Sequence, residues 1–117
     1  MPVFEDYVTG TVGTSETKVG TLSVPAGARI ISAIVASHGT GGVVAVRLDW
    51  AGVNTPKKFL IPAMYGTGGT VAGIGVHGSR AFEIPLDEPL QADKQIDIYA
   101  IADTASTPVY VGLKWVK

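Results

Sequence analysis

Apolar and polar residues alternate with a period of two along much of the chain, the spacing that turns successive side chains to opposite faces of a β-strand. Val44, Val46, Leu48 and Trp50 are apolar, while Arg47 and Asp49 take the other phase. Val109, Val111, Leu113 and Trp115 share one face, with Tyr110, Gly112 and Lys114 opposite. Ile96, Ile98 and Ala100 alternate with Asp97 and Tyr99, and Phe82, Ile84 and Leu86 alternate with Glu83 and Pro85. These patterns predict half-buried strands, with Val44, Val46, Leu48, Trp50, Ile96, Ile98, Val111, Leu113 and Trp115 facing the core. The segment 29–38 is apolar in both phases, and its Ile-Ile and Ile-Val pairs predict a strand covered on both faces. No segment carries a stripe of 3.6-residue period, so no helix longer than about two turns is expected.

Clusters of Gly, Pro, Ser, Thr and Asp punctuate these runs at 13–16, 25–27, 39–42, 51–56, 87–93 and 103–107. Together they predict strands near 6–12, 17–24, 29–38, 43–50, 57–62, 80–86, 95–102 and 108–116. Eight short strands at such spacing define an all-β class and a β-sandwich, and 117 residues suit a single domain over 1–117. The segment 63–79 breaks the regularity with six glycines and a length unusual for a loop in a compact domain. It also carries Met64, Tyr65, Val71, Ile74 and Val76, side chains that a solvated linker does not need. It is therefore expected to pack on something, either its own sheet or a neighbouring copy.

Composition narrows the function. Nine basic against ten acidic residues give a net charge of -1, with no run of like charge, which argues against strong nucleic-acid binding or attachment to anionic lipid. With no cysteine there is no disulfide framework and no thiolate metal site. Charged residues make up only 16% of the chain, below the roughly 25% of an ordinary soluble domain, and mean hydropathy is +0.31. No apolar run approaches the roughly 20 residues needed to span a bilayer, and the first residues show no signal-peptide pattern, so cytoplasmic synthesis is expected. Surplus apolar surface on such a chain is usually covered by self-association.

The candidate chemistry is thin. Gly73-Ile74-Gly75-Val76-His77-Gly78 matches G-x-G-x-x-G, but it runs into a predicted strand and lacks the helix whose N-terminus would receive a pyrophosphate. His38 and His77 stand 39 residues apart, each beside a glycine turn, and have no ligand spacing. Asp87, Glu88 and Asp93 are split by Pro89 and Leu90 and lack a calcium-loop pattern. The serines at 15, 23, 32, 37, 79 and 106 read as turn and strand-surface residues, with no nucleophile elbow. No catalytic, metal or cofactor-binding residue is assigned, and the chain is not expected to be an enzyme. Both tryptophans fall in core phase, whereas Tyr99 and Tyr110 fall in the opposite phase and are free to meet a partner.

The phrases Val24-Pro25-Ala26-Gly27-Ala28-Arg29-Ile30, Phe59-Leu60-Ile61-Pro62 and Phe82-Glu83-Ile84-Pro85-Leu86, with a late strand over 95–102, resemble the layout of small single jelly-roll coat or decoration proteins of viruses. The resemblance covers most of the chain in style and rests on no diagnostic motif. It favours a jelly roll over an immunoglobulin-like sandwich. It also implies a non-enzymatic, homo-oligomeric capsid subunit whose partners are copies of itself and other capsid proteins, located in the virion. The chain lacks the basic N-terminal arm through which some coat proteins contact the genome. The candidate interface residues are Tyr65, Val71, Ile74, Val76, Tyr99 and Tyr110. A carbohydrate- or small-ligand-binding sandwich using Tyr65, Tyr99 or Tyr110 is the alternative.

Overall fold

The computed structural model describes residues 2–37, 42–50, 57–61, 64–65, 71–72, 76–77 and 81–117, the side chains of 44, 50 and 57–77 excepted. The main strands follow the alternation: β1 (Val3–Val12), β2 (Thr17–Val24), β3 (Arg29–Ser37), β4 (Gly42–Trp50) and β5 (Lys57–Ile61). Three short pieces, β6 (Met64–Tyr65), β7 (Val71–Ala72) and β8 (Val76–His77), precede β9 (Ala81–Pro89), β10 (Lys94–Ala102) and β11 (Thr107–Val116). The expected boundaries hold to within a residue or two except at β1 and β9. β1 starts three residues earlier than expected and β9 ends three residues later, so Asp87 and Glu88 are strand residues.

The eight main strands form two antiparallel sheets, ordered β1-β11-β3-β9 and β2-β10-β4-β5, with β8 also pairing with β4, while β6 and β7 pair as a separate two-stranded piece. Read along the chain, β1 pairs with β11, β2 with β10, β3 with β9 and β4 with β8. The chain is thus one long doubled-back ribbon, rolled so that β11 meets β3 and β10 meets β4. This is the jelly-roll arrangement.

Between the sheets lie Val24, Ile30, Val35, Val43, Val46, Leu48, Ile96, Ile98, Val111 and Leu113, all fully buried, with Trp115 nearly so. Every expected core residue whose side chain is described is therefore in the core, while the side chains of Val44 and Trp50 lie outside the described residues. The strict alternation fails at the start of β4. Ala100 pairs with Val46 and Ile101 with Ala45, but Ala102 pairs with Val43, so Val44 is an extra residue that shifts the phase and brings Val43 into the core. β3 is buried along most of its length because it is central in its sheet.

The Pro25–Ala28 turn closes with an Ala28 N–H to Pro25 carbonyl bond of 3.3 Å, and Gly27 takes the left-handed conformation (φ 82°) that glycine adopts without strain. Two backbone bonds to Leu90, from the Gly27 N–H and to the Ala28 carbonyl, tie this turn to the segment after β9.

Candidate interaction surfaces

The two outer faces of the sandwich differ in chemistry. On the β2-β10-β4-β5 sheet, Tyr99 of β10 stands in register with Lys18 of β2 and Arg47 of β4. The Arg47 guanidinium lies over the Tyr99 ring, 4.2 Å from its centroid, a cation–π contact. Arg47 also donates to Asp49 at 2.6 Å and to Glu16 in the β1–β2 turn, so one largely covered guanidinium fastens that turn to the sheet. The Glu16 hydrogen bond is the main reason the Arg47 pKa is raised, despite the opposing effect of burial, with Asp49 adding to it. Beside this group the Thr21 hydroxyl donates to Asp97 at 2.7 Å, and Lys18 lies 3.2 Å from the same carboxylate.

The Thr21 bond, helped by Lys18, outweighs desolvation and holds the Asp97 pKa below its ordinary value. A depressed carboxylate stabilises the fold above the unfolded-state pKa of about 4, and that contribution is lost as pH falls through the lower folded value. Asp97→Asn is accordingly expected to flatten the acid limb of the stability profile while leaving neutral stability lower than wild type. Urea midpoints measured between about pH 7 and pH 3 check this, and parallel profiles for the two proteins would contradict it.

The outer face of the β1-β11-β3-β9 sheet carries a pair of stacked aromatic rings. Tyr7 of β1 stacks on Tyr110 of β11, with centroids 5.0 Å apart and planes 20° from parallel. Gly112 makes the room, because a Cβ there would lie 3.2 Å from the Tyr110 ring and hydroxyl. Burial, followed by the nearby Glu5, Tyr7 and Asp6, pushes the Tyr110 pKa up. A groove of about 570 Å³ on the same sheet is lined by Val3, Ile31, Ser32, Glu83, Pro85 and Lys114. Lys114 and Glu83 make a loose ion pair across it at 3.7 Å. Ile31 is a bulge: Lys114 pairs with Ser32 and Trp115 with Ile30, leaving Ile31 out of register.

The serines depart from expectation. Ser32 and Ser37 are buried rather than superficial, and the Ser32 hydroxyl is buried without a hydrogen-bond partner. Their central position in the sheet, unreadable from a polar letter in a strand, is the cause.

Tyr99 and Tyr110 keep their expected outward phase but occupy opposite outer faces, so the structure does not bring them into one surface. Each is half-buried under a neighbour of its own chain: Arg47 on Tyr99, Tyr7 on Tyr110. The side chains of Tyr65, Val71 and Val76, and all of Ile74, lie outside the described residues. The backbone of Val76–His77 pairs with Gly42–Val43, so this part of the 63–79 segment returns to its own sheet. Apolar exposure unforeseen from the sequence is concentrated on β1, at Val3, Phe4 and Tyr7, with Phe82 exposed on β9. Phe82 has the expected inward phase, opposite Val35, but sits on an edge strand. Among the described residues no group of three or more His, Cys, Asp or Glu is placed to hold a metal.

Neither a protein-family model nor a characterised protein sequence matches the chain. Solved structures do match its shape. A chain of infectious bursal disease virus, Gx strain, superposes with a TM-score of 0.54 at 10% identity over 97% of this chain and 31% of its own length. A chain of a VP2 subviral particle of the same virus gives 0.52 at 8% identity, covering 97% and 36%. A chain of the cyanophage Pam1 capsid asymmetric unit gives 0.48 at 20% identity, covering 97% and 83%. The chain spans about a third of the length of the bursal disease virus chains. It is an all-β jelly-roll sandwich, and the proteins it resembles in fold are those of virus particles.

Proposed function

We propose that these 117 residues form one sandwich domain of a non-enzymatic structural protein that self-assembles as a viral capsid subunit, of coat or decoration type. The observation that carries this reading is the rolled topology matched over 97% of the chain by virus-particle proteins. The exposed Val3, Phe4 and Tyr7, close together on the edge strand β1, support it, since a monomer usually avoids grouping such side chains at its surface. Its partners are then copies of itself and other capsid proteins, and its location the virion. The glycan-binding alternative is less well supported, because the rings of Tyr99 and Tyr110 are already engaged by Arg47 and Tyr7. Size-exclusion chromatography with light scattering, followed by electron microscopy, tests the proposal. Closed particles or defined multi-copy rings are expected, whereas a monomer at every concentration would overturn it.

A further inference from the structure

We propose that the free edge of β1 is a strand-addition interface whose partner is β1 of a second copy of this chain, antiparallel about a twofold axis at Tyr7. The proposal rests on the self-assembly reading above and specifies where one contact lies.

Among the described strands β1 pairs with β11 alone. The Lys117 N–H donates to the Pro2 carbonyl, which sets the ladder's parity: even residues of β1 turn their backbone groups toward β11 and odd residues turn theirs outward. Val3, Glu5, Tyr7, Thr9 and Thr11 thus present N–H and C=O groups along an open edge. The Tyr7 N–H is capped at 2.8 Å by the carboxylate of its own neighbour Asp6.

Open edges of this kind are normally blunted by proline, lysine, bulges or brevity. The other edge strands show these devices. β9 contains Pro85 and Pro89, β2 carries Lys18 and a bulge at Val19, and β5 is five residues long and begins Lys57-Lys58. β1 has ten residues with no proline, no lysine and no register shift. It also bears Val3 (61% exposed), Phe4 (43%) and Tyr7 (56%). Its protection is the two acids and the Asp6 cap on Tyr7, so a ladder open at Val3, Glu5, Thr9 and Thr11 coincides with an exposed apolar group on one strand.

The strand's charges choose the register. β1 has two acids, Glu5 and Asp6, and no base. Outward groups must meet outward groups, so a twofold axis falls on a residue. An axis at Glu5 or at Asp6 sets like charges directly opposite, which is destabilising. An axis at Tyr7 pairs Glu5 with Thr9, Asp6 with Val8, Phe4 with Gly10 and Val3 with Thr11. It covers all three exposed apolar residues and sets Tyr7 opposite Tyr7 as an outward hydrogen-bonded pair, so on association the Tyr7 N–H exchanges the Asp6 carboxylate for the Tyr7 carbonyl of the second copy. An axis at Val8 leaves Val3 without a partner. The product is a continuous eight-stranded sheet built from two copies.

The test uses the full chain, with hydrogen exchange on the wild-type assembly and light scattering on Thr9→Pro. Proline at this position removes an outward donor and no bond to β11. The amides of Glu5, Thr9 and Thr11 are expected to exchange on the order of 100-fold more slowly than unpaired amides, and Thr9→Pro to weaken self-association at least about tenfold with its circular dichroism retained. Thr9→Lys, which blunts an edge without restricting the backbone, is expected to act the same way, and the wild-type exchange pattern decides alone if Thr9→Pro does not fold. Freely exchanging outward amides in an assembled wild-type protein would overturn this interface while leaving self-assembly intact. A wild type that stays monomeric would overturn both.

Discussion

Leu113→Ala is expected to cost on the order of 2–5 kcal/mol, read as a lower denaturant midpoint with an unchanged slope. Leu113 is fully buried on β11, in register with Asp6 on β1 and Ala33 on β3. The small Ala33 beside it offers little to fill the space left by the missing isobutyl group. The transfer free energy of the side chain is therefore lost and the cost of a cavity is added to it, and against a total stability of roughly 5–15 kcal/mol the effect is large. Leu48→Ala, at a fully buried position on the opposite sheet, is expected to behave likewise. Lys114→Ala supplies the control one residue away. Its side chain is on the outer face and its ion pair with Glu83 is long and partly solvated, so a change within about 0.5 kcal/mol is expected. A larger loss for Lys114→Ala than for Leu113→Ala would mean that β11 faces the other way.

Gly20→Ala is expected to destabilise the fold by about 1–3 kcal/mol, although alanine is in general the less costly residue in a strand. A Cβ at position 20 would lie 2.7 Å from Val8 Cγ1 and 3.0 Å from Val8 Cβ. Val8 is β-branched and therefore stiff, so β1 or β2 must move to admit the methyl group. The reverse contact is looser: a Cβ on Gly10 would lie 3.4 Å from Val19 Cγ1, an ordinary van der Waals distance, so the clash is confined to Gly20. The two strands cross between sheets at this edge, and each lays a valine against the other's glycine. Val8→Ala in the Gly20→Ala background is expected to recover part of the loss, giving a coupling of opposite sign to the two single costs. Simple additivity in the double-mutant cycle, measured by urea unfolding, would show that the edge has slack to absorb the methyl group.

Gly20 also illustrates where reading from residues stops. In the sequence it is an interruption in an otherwise β-forming segment, and nothing local indicates that Val8, twelve residues earlier, closes over it. The β3 segment is the opposite case, because its apolar letters in both phases already specify a strand covered on both sides. Leu48 and Leu113 were legible for the same reason, since alternation states which side chains point inward. Phe82 shows the limit of that rule: its phase was right, yet an inward phase on an edge strand does not guarantee cover. For the candidate interface, the outward phase of Tyr99 and Tyr110 was readable, but their separation onto opposite faces was not. Nor was Tyr7 marked as Tyr110's partner, because the pairing of β1 with β11 joins residues some hundred positions apart.

By itself the sequence determined the all-β class, the approximate limits of the eight main strands, the inward phase of the core residues and the turns between strands. All of these follow from interactions within a few residues: the two-residue period of a strand and the backbone preferences of Gly, Pro and Asp. The tertiary structure alone decided which strands are neighbours, which edges are left open, where Val44 and Ile31 are pushed out of register, and which polar letters, such as Ser32, are covered. Alternation assigns a residue to a face but not to a partner. Pairing is settled only when distant strands compete for the same hydrogen bonds and the two sheets close on a shared core.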